Sequence, residues 1–295
     1  MPPAGKPAIT PRRSALYMPG ANDRALAKAR TLDCDALIFD LEDAVAPAAK
    51  EAARASVCRV IGEGGYGHRE LIVRVNALDT PWGLDDLTAV VTLPVQGLLF
   101  PKVSTAAQVA QIDEALAAVG ADGMPRWYMV ETPQALLELE ALVDASTALS
   151  VLVMGTSDLV KELRGRHRPD RANLAYALQR TVTVARARGL TVLDGVHLDF
   201  RNLESFRDLC EDGLDMGFDG KTLIHPAQID IANAVFGPGA EDVAWAERVV
   251  EVWDSATAAG KGVVELDGQL IENLHAEEAQ RTLAVAKAIS ERSAG

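Results

Sequence analysis

Several protein classes are excluded by what this chain of 295 residues lacks. It has three cysteines, Cys34, Cys58 and Cys210. An odd number with no Cys-x-x-Cys pair argues against a disulfide scaffold or a zinc ribbon, and a reducing cytoplasm is the expected compartment. The five histidines are scattered, without His-x-x-x-His spacing, so a zinc-hydrolase donor set is missing. No apolar run reaches the length of about 18 residues that a membrane helix needs. Met1 to Arg13 is basic, but no apolar stretch follows that would make a secretory leader. No Gly-x-Ser-x-Gly elbow is present for a serine hydrolase. Positive charge is scarce: 29 Lys+Arg against 42 Asp+Glu give a net charge of −13, which disfavours nucleic acid as a partner.

The cations that exist are unevenly placed. Lys6, Arg12, Arg13, Arg24, Lys28 and Arg30 face one acid, Asp23, in the first 30 residues. Such a basic end on an acidic chain is expected either to hold a small anionic ligand or to be a solvated arm.

What the chain does have is alternation. Short apolar, β-branched runs at Ser14–Met18, Ala36–Leu41, Leu71–Val75, Leu98–Val103, Trp127–Val130, Val151–Met154, Leu190–Leu193 and Thr222–Ile224 read as eight strands. Several are apolar on both faces, as strands of a helix-covered parallel sheet are. Helical stretches separate them, with prolines at first turns (Pro133, Pro226) and glycines at ends (Gly120, Gly189). The expected fold is α/β, a (β/α)8 TIM barrel over residues 1–237; an open doubly wound sheet is the alternative. Gly237-Pro238-Gly239 marks a boundary. Residues 238–295 then form a small C-terminal helical lid segment, expected to be too short for a core of its own.

Two glycine motifs are discounted. Gly62, Gly64 and Gly67 match a dinucleotide fingerprint but follow a helix and precede a strand, the reverse of what phosphate binding needs. Gly220-Lys221-Thr222 lacks the leading glycine of a phosphate loop.

In a barrel of this kind the chemistry sits at the C-terminal strand ends. Those ends carry Tyr17, then Asp40, Glu42 and Asp43, then Arg74, Lys102, Glu131, Asp158, Asp194 and His225. Acids crowded at one mouth repel unless a cation neutralises them. With no histidine or cysteine beside Glu131 and Asp158, the expected cation is a hard, oxygen-loving one, Mg²⁺ or Mn²⁺. Singly, each of these acids could equally be a helix cap.

The stretches Arg13–Gly20, Ile38–Val45, Val73–Asn76, Pro101–Val103, Glu131-Thr132, Gly155–Leu159 and Gly220–Pro226 resemble the citrate lyase β-subunit-like CoA-ester lyases of the HpcH/HpaI aldolase superfamily. Arg168–Arg171, Met216–Thr222 and Glu272–His275 draw the likeness towards the malyl-CoA lyase and malyl-CoA thioesterase branch. The resemblance implies an enzyme with Mg²⁺ on Glu131 and Asp158, and with Asp40, Glu42 and Asp43 behind the metal. It places Arg74 at the substrate thioester oxygen and Tyr17, Arg24 and Lys28 at CoA. Ser157 and His225 are implied substrate contacts beside Arg74, Glu131 and Asp158. Family lyases take their base from an aspartate in the C-terminal segment; here the matching residue is Glu272. The implied activity is carbon–carbon cleavage of a malyl-CoA-like acyl-CoA. Thioester hydrolysis to malate and CoA is the alternative, a 2-keto acid aldolase using free aldehydes a third reading, and a citrate lyase β subunit a weaker one. A homo-oligomer, trimer or hexamer, is implied as well.

Overall fold

The structure, a computed structural model, describes residues 9–293. The expected (β/α)8 barrel is found. Strands β1 (Ser14–Pro19), β2 (Ala36–Asp40), β3 (Glu70–Arg74), β4 (Gly97–Phe100), β5 (Arg126–Val130), β6 (Leu149–Met154), β7 (Thr191–Asp194) and β8 (Gly220–Leu223) run parallel in chain order. β8 pairs back onto β1, which closes the sheet and rules out the open alternative.

Helices return the chain between strands: α1 (Asp23–Lys28), α2 (Lys50–Glu63), α3 (Gly83–Val90), α4 (Ala106–Ala118), α5 (Pro133–Leu137), α6 (Leu139–Ala145), α7 (Thr156–Glu162), α8 (Ala175–Ala187), α9 (Leu203–Met216) and α10 (Ile229–Phe236). Their ends follow local chemistry. Thr132 caps α5 by accepting the Ala135 N–H at 3.0 Å, and Thr105 with Gln108 forms a capping box on α4. Gly64 and Gly67 form the expected helix-to-strand turn, Gly64 stopping α2 with φ +70°, while Gly62 lies in the last turn of α2. Two short helices, α3 and α7, were not legible in the sequence. Each adds only seven or eight residues right beside a strand-end loop.

Two apolar layers result from the two-residue period of each strand. Ala36 and Ile38 point inward with Ala15, Ile72, Leu99, Trp127, Met129, Val151, Val153 and Leu193. Leu37 and Phe39, equally buried, face the helices. The floor of the barrel is ionic: Arg12 forks onto Glu70 at 2.7 Å for both bonds, donates to Thr191 Oγ1 at 3.0 Å and lies over the Trp127 ring.

By packing, Arg12–Asn233 forms one compact unit and residues 9–11 with 234–293 another. The second unit holds α11 (Ala240–Ala258) and α12 (Asn273–Ser293), with the antiparallel pair β9 (Val264–Leu266) and β10 (Gln269–Ile271) between them. Asp267 and Gly268 join the two strands, both at positive φ (50° and 79°), as a tight Asp-Gly hairpin turn requires. The expectation that this tail has no core is corrected: Ala246, Val249, Leu266, Ile271 and Ala279 bury together under Trp245 and Trp253. An amphipathic helix pair closed by a hairpin can bury one apolar seam even in so short a segment.

Candidate active site

The register of the barrel assembles the site. Asp40 and Arg74 are direct neighbours across β2 and β3, both pointing inward at the C-terminal rim. Arg74 forks onto Asp40, Nε to Oδ1 at 2.7 Å and Nη2 to Oδ2 at 2.6 Å. Its Nη1 stands 3.0 Å from Glu42 Oε2 and 3.6 Å from Met129 Sδ, and the guanidinium covers the Tyr17 ring at 4.9 Å. Burial works against the arginine's charge, but Asp40 and its other anionic neighbours outweigh burial and hold it well above its ordinary pKa. Burial also keeps the Tyr17 phenol protonated.

Asp40 also accepts the backbone N–H groups of Glu42 and Ala44. It thus holds both Arg74 and the loop after β2. Glu42 sits between two cations, Arg74 and Lys102, whose Nζ donates to Oε1 at 2.5 Å. Burial nonetheless pushes its carboxyl up. Asp43 is half-exposed, 3.6 Å from the same ammonium. The acids at this mouth are thus largely neutralised from within.

Glu131, at the end of β5, is different. Its Oε1 accepts the Lys102 backbone N–H at 2.7 Å, but its Oε2 is buried with no partner. Burial pushes the carboxyl up to about 7, the neighbouring Asp158 charge adds to the rise, and the Lys102 N–H opposes it. Asp158 is half-buried in the first turn of α7, where the helix N-terminus favours an anion. A Cβ at position 155 would run into Glu131, so the residue between β6 and α7 must be glycine for both acids to approach. A buried orphan oxygen beside a second carboxylate fits a hard divalent cation, which takes one or two protein carboxylates and keeps other positions open.

The other expected residues are placed as follows. Ser157 lies beside Asp158 in α7, half-buried. His225 caps the turn Pro226–Gln228, its Nδ1 accepting the Ala227 N–H, and stacks on Phe200 at 4.6 Å. Arg24 and Lys28 are exposed on α1. Glu272 is exposed in the second unit, at the start of α12, its N–H donated to His275 Nδ1. Three of the basic N-terminal residues are committed to internal partners. Arg12 is spent on Glu70, Arg13 on Asp35, and Arg30 on Glu63 and the Val60 and Gly64 carbonyls. Lys6 lies outside the described residues.

Some contributors carried no sequence signal. Lys50 is buried, its Nζ donating to the Leu41 and Glu42 carbonyls and to Asn76 Oδ1 at 2.7–2.8 Å, so it ties the acidic loop to β3. Nothing in Ala48-Ala49-Lys50-Glu51 distinguishes it from a solvated helix start. A cleft of about 450 Å³ opens beside the site, walled by Asp43, Lys102, Trp82, Gln108 and Gln111. Asp194, though at a strand end, points away from the mouth: it is fully buried against Lys221 Nζ (2.5 Å) and Arg171 Nη1 (2.7 Å). The β7–β8 register pairs Asp194 with Lys221, which makes this a structural ion cluster.

The family model HpcH/HpaI aldolase/citrate lyase matches residues 13–226. The chain is 49% identical over 280 residues to (3S)-malyl-CoA thioesterase of Cereibacter sphaeroides, covering 95% of this chain and 96% of that one. It is 34% identical over 284 residues to the citrate lyase β subunit of Escherichia coli, covering 94% and 93%. Among solved structures it is similar to CitE from Mycobacterium tuberculosis in complex with magnesium, acetoacetate and coenzyme A, at 28% identity and a TM-score of 0.76, covering 95% of this chain and 99% of that one.

Proposed function

The chain belongs to the HpcH/HpaI aldolase/citrate lyase family, and from that premise we propose that it is a Mg²⁺-dependent enzyme acting on a malyl-CoA-like acyl-CoA. The carrying observation is the buried, partnerless Oε2 of Glu131 beside Asp158, within electrostatic reach of Arg74. Hydrolysis of the thioester to malate and CoA is the favoured reaction, since the relatives at 46–49% identity are malyl-CoA thioesterases. Cleavage of the carbon–carbon bond, ranked first by the motifs alone, is the second reading, supported by the citrate lyase β relatives and by an arginine equally suited to an enolate.

In this proposal Glu131 and Asp158 would hold Mg²⁺, which when bound supplies Lewis acidity and a template for the substrate's oxygens. Of the five N–H donors on Arg74, Nε and one Nη2 hydrogen go to Asp40, and the two on Nη1 face Glu42 and Met129 Sδ. One Nη2 hydrogen is left for the thioester oxygen, where negative charge develops in either reaction. Because Asp40 and Glu42 fix the guanidinium beforehand, stabilising that charge requires little reorganisation. Ser157 and His225 line the acyl end. Tyr17, Arg24 and Lys28 meet CoA, with Arg24 and Lys28 the cations of the N-terminal segment that the fold leaves exposed. Residues 1–237 act as the catalytic barrel and 238–295 as the lid. Glu272 serves as the base in this proposal. A cytoplasmic homo-oligomer, trimer or hexamer, belongs to the same proposal.

The test is incubation with malyl-CoA, with and without Mg²⁺, and separation of products by mass. Malate and CoA mark hydrolysis; acetyl-CoA and glyoxylate in equal amounts mark cleavage. Undiminished turnover in EDTA refutes the metal site, and no consumption of malyl-CoA refutes the substrate.

A further inference from the structure

Lys102 adopts a conformation that lysine avoids. Its φ is +55°, in the left-handed region where a side chain crowds its own backbone, and such residues persist only where the surroundings over-determine them. Here the surroundings are the acids of the site. The Lys102 backbone N–H donates to Glu131 Oε1 at 2.7 Å, and its ammonium donates to Glu42 Oε1 at 2.5 Å with Asp43 at 3.6 Å. Glu42 in turn stands 3.0 Å from Arg74 Nη1. One residue therefore grips two acids by two different groups, one through the main chain and one through the side chain. β4 ends at Phe100, so no strand pairing asks for this backbone. Glycine would adopt it without strain but would bring no ammonium.

We propose that Lys102 is a positioning residue that joins the two halves of the site. Its N–H ties Glu131 Oε1, so that Oε2 is the oxygen offered to a cation. Its ammonium pins Glu42, and through Glu42 it fixes the free edge of Arg74. Without the ammonium, Glu42 would keep Arg74 and the Asp43 N–H on Oε2 but lose the partner of Oε1 beside the half-exposed Asp43 carboxylate, so it could swing and the guanidinium follow it out of line. The fork to Asp40 would survive, so binding would persist while the alignment needed in the transition state would be lost.

This inference rests on the reaction proposed above, and its test has one arm that does not. Lys102→Met removes the charge and keeps most of the length; Lys102→Gly also relieves the backbone; Lys102→Arg keeps the charge. With malyl-CoA, kcat should fall by about 10- to 100-fold in the Met and Gly variants, the usual size for a group that orients a ligand from behind. KM should stay within about threefold, since the interaction lost acts mainly in the transition state. Mn²⁺ affinity should hold in both, because the backbone N–H remains, and the Gly variant should melt no lower than wild type. Lys102→Arg should recover most of kcat. Wild-type kcat in Lys102→Met, a loss lying wholly in KM, or an Arg variant no better than Met overturns the proposal. The independent arm is the Arg74 Nε–Hε resonance in ¹⁵N-labelled protein, expected to shift or broaden in Lys102→Met and to return in Lys102→Arg. An unmoved resonance overturns the positioning role whatever the reaction. A moved resonance in a protein that leaves malyl-CoA untouched supports the role of Lys102 and refutes the proposed substrate.

Discussion

Replacing Glu131 by glutamine should make the metal-free protein more stable while abolishing turnover. Glu131 is 1% exposed, and burial raises its carboxyl from 4.5 to about 7. Between those values the folded chain holds a proton that the unfolded chain has lost, so stability falls as pH rises through the window, and the full cost is felt above about pH 7. A shift of that size corresponds to about 3 kcal/mol, at about 1.4 kcal/mol per pH unit. Glutamine does not titrate, and its carbonyl can still accept the Lys102 N–H. In EDTA at pH 8 the variant should therefore gain up to about 3 kcal/mol, a rise in Tm on the order of 5–10 °C for a chain of this size. Near pH 4.5 the two proteins should melt together. Mg²⁺ should reverse the order at pH 8 by stabilising wild type and leaving the variant unmoved. Thermal melts across pH, with and without metal, are sufficient. Equal Tm values at pH 8 in EDTA, or a difference independent of pH, would show that Glu131 is not held against its ionisation and would remove the main argument for the cation site.

Three further outcomes are expected. Arg74→Lys keeps the charge but not the fork on Asp40, and steady-state kinetics should show kcat down by roughly 10²-fold, the usual loss for an oxyanion donor; a change confined to KM would make the residue a binder only. Lys221→Met leaves Asp194 facing Arg171 alone in a buried site, so urea titration should show a loss of about 3–5 kcal/mol, with kcat per folded molecule unchanged; a kinetic defect without a stability loss would contradict the structural role. Glu272→Ala should suppress turnover by about 10²-fold or more if this residue is the base, and Glu272→Asp should shift products towards glyoxylate and acetyl-CoA; wild-type rates in Glu272→Ala would send the search for the base back to the barrel rim.

The rim itself was partly readable in advance. Asp40, Glu42, Arg74, Glu131 and Asp158 announce themselves as charged residues at the ends of apolar runs, positions where a barrel carries its chemistry. Their division of labour was not readable. Asp40 closes β2 and Glu131 directly follows β5, both acids beside an apolar run, yet Asp40 faces an arginine on the next strand and Glu131 faces a glycine and a backbone N–H. One is neutralised and the other left with an orphan oxygen, a distinction made by strand register. The same register sends Asp194 to the outside of the barrel and into a structural cluster, although in the sequence it sits where Asp40 sits. Lys50 gave no signal and Lys102 only its place at a strand end, since a buried or left-handed lysine looks like any other until its neighbours are known.

Linear pattern alone determined the alternation of eight strands with helices and the crowd of acids at the strand ends. These rest on periodicity, turn chemistry and adjacency along the chain, all of them local. Tertiary structure decided the closure of β8 onto β1, the spending of Arg12, Arg13 and Arg30 on internal ion pairs, and the choice of Glu131 as the acid left unsatisfied. Each of those outcomes depends on which residue of a distant strand or helix stands opposite. Hydrogen bonds and ion pairs act over a few ångströms, and separation along the chain says nothing about that distance.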